Sequence, residues 1–408
     1  MSASSTDKPA RMTPLASPGV AVFLKLAPIT LAVFIAFLTI GLQLPVLPLH
    51  LKDALGMNAT VVGVVVGAQF AAALLSRAWA GNFADLRGAK RAVMAGFITA
   101  ALSGLVYLAS LTLLGRPDWS VAVLLLGRVV LALGESLMVT GAMSWGIGLV
   151  GPQHGGKVMA WLGIALYAAF GAGAPLGVAI NQVYGFAGIS LASVGLSLAA
   201  LLLIAPLRAI APSAHRRTPF YQVLGAVWRP GLGLAFSSVG FGVITAFIAL
   251  LFAARAWGNA ALAFSAFGVA FILARLLFAH LPDKLGGARV ALVCVLIEAA
   301  GQLLIWQADA AHWAYLGAAL TGFGYSLAFP GFGVEAMRRA PPQTRGLAMG
   351  AYVAFLDLSL GITSPLAGAL AQAWGVEAVY LLGAVMVALA ALVALGLMRT
   401  SPQRAAHG

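Results

Sequence analysis

Residues 74–91 read LLSRAWAGNFADLRGAKR, and 198 positions later residues 272–289 read ILARLLFAHLPDKLGGAR. Arg77, Asp85, Gly88 and Arg91 of the first copy recur as Arg275, Asp283, Gly286 and Arg289 of the second. Each copy opens in an apolar run and closes in a charged loop. A second set of matches follows at an offset of 190, where Gly127, Gly134, Ser136, Pro152, Gly156, Met159, Gly171 and Pro175 align with Gly317, Gly324, Ser326, Pro342, Gly346, Met349, Gly361 and Pro365. The offset shortens because the first half carries extra residues around Gly115 to Trp119. Repeats of this length predict two structurally related halves.

The 408 residues are 62% hydrophobic and 9% charged, where soluble domains carry roughly 25% charged residues. A water-soluble fold cannot hide so much apolar surface. Stretches of about 20 apolar residues, enough to cross a ~30 Å hydrocarbon core as helix, recur along nearly the whole chain. They predict an all-α membrane protein with about twelve transmembrane helices, near 27–51, 60–83, 92–114, 121–144, 157–180, 187–208, 228–253, 259–281, 290–308, 313–335, 346–372 and 376–399. The halves are then two pseudo-symmetric six-helix units at 27–208 and 228–399. They are joined by a linker at 209–227 and flanked by tails at 1–26 and 400–408. Internal repeats in a chain this apolar are the layout of secondary transporters.

Basic residues in short loops stay on the cytoplasmic side. Eighteen of the 24 Lys and Arg fall on one face of this topology, and only Lys52, Arg116 and Arg255 on the other; Arg77, Arg128 and Arg275 lie within helices. Both termini are therefore expected in the cytoplasm. The net charge of +13 follows from this topology and does not point to nucleic acid. The stretch before Leu26 lacks the apolar core and small-residue cleavage site of a secretory signal and is expected to be retained. The linker carries Phe220, Tyr221 and, just beyond it, Trp228, expected at the membrane surface.

The run Gly81-Asn82-Phe83-Ala84-Asp85-Leu86-Arg87-Gly88-Ala89-Lys90-Arg91, between the second and third spans, resembles the loop signature of the major facilitator superfamily, G-x-x-x-D-R-x-G-R-K/R. The second copy, Ala279 to Arg289, keeps Asp283, Lys284, Gly286 and Arg289 but has Ala in place of the leading Gly. Physically such a loop is a latch, in which an aspartate near another helix's N-terminus is stabilised by the helix dipole. The resemblance implies that Asp85 faces the start of span eleven near Gly346. By symmetry Asp283 would face the start of span five near Gly156. Arg77, Gly81, Asp85, Gly88, Arg91, Arg275, Asp283, Gly286 and Arg289 are thus expected to form cytoplasmic gates. The acid that the family often places at the end of span four is absent around Ser144 to Gly148; Glu335 is the candidate for that part beside Lys284 or Arg289.

Candidate coupling residues lie inside the spans. Arg128 and Glu135 are seven apart, so they share one helix face. The run Gly127-Arg128 to Ser136 resembles a second motif of the superfamily, whose arginine is linked to coupling. A charge at the bilayer centre is costly, so each must face a cavity or a partner. Asp357, deep in span eleven, is a candidate proton carrier, since desolvation favours its neutral form. Gln43, Gln69 and Tyr325 are candidate cavity-lining groups, whereas Glu298 is expected to serve packing. Pro175, in the run Gly171-Ala172-Gly173-Ala174-Pro175-Leu176-Gly177 that resembles the antiporters' Gly-Pro pattern, and Pro365, in its repeat copy Gly361-Ile362-Thr363-Ser364-Pro365, are expected to favour helix bending.

Two stretches, Leu75-Ser76-Arg77 and Gly134-Glu135-Ser136-Leu137 followed by Trp145-Gly146-Ile147-Gly148, resemble the YhhS-type subgroup of bacterial facilitators. That resemblance implies a bacterial inner-membrane exporter. The six histidines have no metal-ligand spacing, the single Cys294 permits no internal disulfide, and no loop gathers a catalytic set. No cofactor, metal, nucleic acid or enzymatic activity is expected. The expected partners are a small solute, protons and the bilayer, with the protein a monomer. The reading is a proton-coupled exporter working by alternating access. The alternatives are a proton-symport or uniport importer of a sugar or organic acid, and a non-transporting membrane scaffold or sensor.

Overall fold

The computed structural model describes residues 18–151, 154–210, 221–341 and 345–400. Among these residues every regular element is helical. The helices are α1 (Pro18–Gly41), α2 (Val46–Leu49), α3 (Ala59–Arg87), α4 (Ala89–Ser110), α5 (Pro117–Val150), α6 (Gly155–Ile204), α7 (Tyr221–Ala254), α8 (Ala261–Phe278), α9 (Leu281–Leu285), α10 (Gly287–Trp306), α11 (Ala311–Arg339), α12 (Arg345–Trp374) and α13 (Ala378–Arg399). Ten helical segments among them are long and apolar enough to cross a bilayer.

Spans five and six, expected at 157–180 and 187–208, are the two arms of α6, 50 residues in all, and the turn between them falls inside the expected break at 181–186. At 1.5 Å per residue a straight helix of that length would measure about 75 Å, far more than a ~30 Å core. The chain reverses at Gly185, which takes φ 62 and ψ −165. A Cβ built on Gly188 would lie 2.9 Å from Cγ2 of Ile180, eight residues earlier, whereas a continuous helix would separate them by about 12 Å. The structure differs from the reading at the expected linker: α7 already begins at Tyr221, so Trp228 is a helix residue, with the Arg229 guanidinium 5.2 Å over its ring. Phe220 lies outside the described residues.

The sequence repeat appears as a repeated backbone. Gly88 (φ 95) and Gly286 (φ 93) take the same left-handed turn between α3 and α4 and between α9 and α10, a conformation that side chains disfavour. Matched glycines are also contact points. A Cβ on Gly134 of α5 would stand 2.8 Å from the Gly96 carbonyl of α4, and one on its repeat partner Gly324 of α11 would run into the Cys294 carbonyl of α10. Gly301 of α10 and Gly317 of α11 add a further close approach at 2.6 Å. Lipid supplies no hydrophobic drive between helices, so close approach through small residues supplies the packing instead.

Leu and Ile stripes face outward at helical spacing: Ile98, Leu102 and Leu105 on α4, Leu191, Leu198 and Leu202 on the second arm of α6, Val293, Leu296 and Leu303 on α10, and Leu381, Val385 and Leu392 on α13. These faces suit lipid rather than water. Helices α1 and α3–α6 pack on one another, as do α7–α13, and the two groups meet mainly along α3–α12 and α6–α8.

The seam is closed at one end. Every residue of 39–48 and of 237–252 is buried, so those stretches of α1–α2 and α7 have protein on all sides. Both lie toward the end opposite the Arg87 and Arg289 loops, which we call the basic end. There Gly67 of α3 abuts Pro365 and Gly361 of α12, and Ser265 Oγ of α8 donates to the Gly171 carbonyl of α6 at 2.8 Å. Gly171 and Gly361 are repeat partners, so the same contact is made twice.

At the closed end Arg255 Nε donates to Glu377 Oε1 at 2.9 Å, tying the end of α7 to the start of α13. Hydrogen bonding to its own backbone amide holds the Glu377 carboxyl below the usual glutamate range; burial opposes this, and Arg255 adds a smaller downward push. A depressed carboxyl stabilises the fold above its ordinary pKa and loses that contribution as pH falls through the lowered one. With side chains 42% and 30% exposed, the pair is a surface bridge, and Arg255→Ala is expected to cost less than about 1 kcal/mol. Thermal unfolding at neutral pH and below pH 4 checks this: the small difference should shrink in acid.

Candidate functional site

Pro45 lacks an amide hydrogen and its ring crowds the carbonyl four residues back, so the helix stops at Gly41 and resumes at Val46. The intervening turn projects Gln43 into the first helix group, where Arg128 Nη1 donates to Gln43 Oε1 at 3.2 Å. Gln43 Nε2 in turn donates to the Thr39 carbonyl at 3.0 Å and to Ser193 Oγ at 3.4 Å. Arg128 is buried and its Nε has no partner. A narrow gap between the groups runs past Gln43, Val66, Arg128 and Thr245.

Two turns along α5, Glu135 accepts a hydrogen bond from Gln69 Nε2 of α3 at 2.7 Å. Arg128 and Glu135 are each held by a glutamine and form no ion pair with one another, although they share a face. Below Gln69 on α3, Ser76 Oγ meets Ser136 Oγ at 2.8 Å. One residue further, Arg77 Nη2 lies 2.5 Å from Asp357 Oδ2 of α12. This ion pair crosses the seam between the two groups. Arg77 and Asp357, expected in separate roles, are therefore one unit, and Glu135 is their electrostatic neighbour.

Tyr325 stands elsewhere. Its hydroxyl meets Ser238 Oγ at 3.2 Å, and its ring stacks on Phe241 with centroids 5.7 Å apart. Around it Tyr167 and Phe170 of α6, Phe241 of α7, and Phe267 and Phe271 of α8 form an aromatic cluster across the α6–α8 seam. The sequence reading missed this cluster. A signal for it exists in the spacing of Phe264, Phe267, Phe271 and Arg275, which puts all four on one face.

Glu298 is fully buried within the second group, accepting from Ser237 Oγ at 2.7 Å near Gln302. Pro175 and Pro365 sit inside α6 and α12, and the one backbone break in α6 is at Gly185.

The basic-end loops differ from the latch expectation in three ways. Lys90 Nζ donates to the carbonyls of Ala205 and Leu207 at 2.6 and 2.8 Å, so it caps the C-terminal end of α6 inside its own group; unpaired helix-end carbonyls attract a cation. Glu335 pairs with Arg339 at 2.6 Å and Arg338 at 3.6 Å on its own helix, and accepts from the Ala288 amide at 3.4 Å. It does not serve Lys284 or Arg289, because the one-turn spacing and the amide at the start of α10 are nearer partners. Asp283 is exposed, and α9 packs on α10 and α11; Gly156, its expected counterpart, has open space at its Cβ position. Asp85 is partly buried beside buried Gly81, and the head of α12 near Gly346, its expected partner, adjoins residues outside the described set. Arg91 and Arg289 are exposed beside the paired glycine turns. Among the described residues no three metal-ligating side chains converge, and Cys294 is buried and free.

Comparison with known proteins places these features. The family model described as Major Facilitator Superfamily matches residues 29–258 and 231–407. An uncharacterized MFS-type transporter of Burkholderia mallei is 46% identical over 394 residues, covering 95% of this chain and 94% of its own length. Another, of Salmonella typhimurium, is 43% identical over 371 residues, covering 91% and 96%. A solved bacterial homologue of the human lysosomal transporter Spinster, inward-facing and unoccupied, shares the fold with a TM-score of 0.74 at 14% identity, covering 95% of this chain and 98% of that one.

Proposed function

The chain belongs to the major facilitator superfamily, and on that premise we propose that it exports a small solute in exchange for protons by alternating access. It is a multi-pass membrane transporter and not an enzyme. Counting the two arms of α6 separately and including α11 brings the ten segments to twelve spans. In the proposed topology the halves 27–208 and 228–399 flank the linker, and the basic end and both termini face the cytoplasm of a bacterium. The state closed at the far end is then inward-facing. A monomer suffices, since one chain supplies both sides of the seam.

The observation that carries the coupling is the Arg77–Asp357 pair, joining α3 to α12 at 2.5 Å beside Glu135. Charged Asp357 holds the seam; a proton on it removes the attraction and leaves Arg77 without a counter-ion. A proton on Asp357 and the charged pair thus exclude each other, and a solute that loads when the proton leaves is exchanged for it.

A metabolite panel in inverted vesicles tests the reading: solute should accumulate when the vesicle interior is acid. Uptake into right-side-out vesicles with an inward proton gradient would mark an importer instead. Glu135→Gln keeps an acceptor for Gln69 and removes the charge beside the pair. It is expected to lower gradient-driven uptake by about tenfold, the equivalent of ~1.4 kcal/mol, while expression and melting temperature stay near wild type.

A further inference from the structure

Arg77 and Arg275 are repeat partners, yet only one has an acid. The position matching Asp357 in the first half is Tyr167. Tyr167 lies on α6, which packs against α8 as α12 packs against α3. The chain therefore keeps the second cation and lacks its counter-ion. Among the described residues no carboxylate lies within ion-pair distance of Arg275, and its Nε is buried without a hydrogen-bond partner. Its guanidinium carbon sits 5.5 Å over the Phe271 ring. The Phe271 ring in turn stacks on Tyr167 and stands 6.3 Å, centroid to centroid, from Tyr325. A ring face offsets part of the desolvation of a cation, and an anion would offset the rest.

We propose that Arg275, walled by Tyr167, Phe271 and Tyr325, is the subsite that receives the anionic head of the transported solute, so that the substrate class is an aromatic or similarly planar organic monocarboxylate. A planar guanidinium fork matches a carboxylate in two parallel hydrogen bonds. Tyr167 stacks on Phe271 with centroids 3.7 Å apart and planes at 29°. That stack spans the α6–α8 seam beside Arg275, which is itself half-buried. The single cation sets the charge of the ligand at one. The structure thus assigns Arg275 to ligand binding and its repeat partner Arg77 to the seam pair, in place of the shared gate role read from sequence. The assignment rests on the chain being a transporter, as proposed above.

The test titrates purified full-length protein with benzoate, benzamide and benzylamine, following tryptophan fluorescence and melting temperature. Benzoate is expected to bind and raise the melting temperature, with benzamide and benzylamine at least about tenfold weaker. Arg275→Gln should weaken benzoate by about tenfold or more and Arg275→Lys by less. Without ligand, Arg275→Gln should melt at or above wild type, because an unpaired, half-buried charge is removed; a purely structural arginine would give a lower melting temperature. Benzoate affinity unchanged in Arg275→Gln, or no benzoate binding to wild type, overturns the proposal. Arg275-dependent benzoate binding without proton-driven transport of any solute would refute the transport mechanism and leave this subsite standing. Proton-driven transport of neutral or cationic solutes, indifferent to Arg275→Gln, would do the reverse.

Discussion

Asp357→Asn is expected to leave a transporter that still exchanges solute for solute but no longer responds to a pH gradient. Asparagine fills the same space and can still accept from Arg77, but it carries neither a charge nor a titrating proton. Gradient-driven transport should fall by more than about tenfold, since removal of the coupling group removes more than the ~1.4 kcal/mol that one decade represents. Stability should fall as well. Breaking a buried pair by removing one partner costs ~3–5 kcal/mol, and Arg77, 21% exposed against 3% for Asp357, is wet enough to place the loss near the lower end. The double variant Arg77→Gln with Asp357→Asn should recover most of that stability and none of the gradient response. A double-mutant cycle on melting temperature, run beside solute counterflow and pH-driven uptake in proteoliposomes, separates the two effects. Wild-type pH dependence in Asp357→Asn would remove the aspartate from the mechanism, and additive single losses would show that the pair carries no coupling energy.

Gly63→Val is expected to stop the seam from closing at the far end. A Cβ on Gly63 runs into the Ser364 carbonyl and comes within 3.2 Å of Pro365 Cα, both backbone atoms of α12 that cannot turn aside. Gly368 repeats the constraint from the other helix, 3.0 Å from Thr60 Cα. Overpacking of this kind costs about 1–3 kcal/mol, enough to shift a two-state equilibrium by roughly 5- to 150-fold. Spin labels at Lys52 and Trp374, both exposed at the closed end, should report longer distances in Gly63→Val, and transport should fall with the lost state. Gly396→Val, where nothing lies within 4 Å, is the control. Wild-type distances in Gly63→Val would mean that α3 and α12 close by some other contact.

Much of the architecture was legible before any coordinates. Apolar runs announced helices because a bilayer leaves the backbone few other ways to satisfy its hydrogen bonds. The repeated Gly88 and Gly286 marked a turn that needs positive φ, and Arg128 and Glu135 were correctly placed on one buried face. The break between spans five and six was legible too, since Asn181 and Gln182 interrupt the apolar run just before Gly185 turns the chain. Local rules missed the partners that only the fold supplies. Lys90 and Glu335 carry the charges that the loop signature implies, but they found nearer partners at a helix end and one turn along a helix.

The candidate site divides in the same way. Its members Gln43, Gln69, Arg128, Glu135 and Asp357 stood out as polar groups in apolar spans, a signal of composition alone. Their partnerships did not, because Arg77 and Asp357 lie 280 residues apart and meet only where small residues let α3 and α12 touch. By itself the sequence determined the helical membrane class, the two related halves and the residues too polar to lack a partner, since these follow from local periodicity and transfer free energy. The tertiary structure alone decided which cation has its acid and which is left open beside Phe271, because helix rotation and backbone approach, not spacing along the chain, bring side chains together.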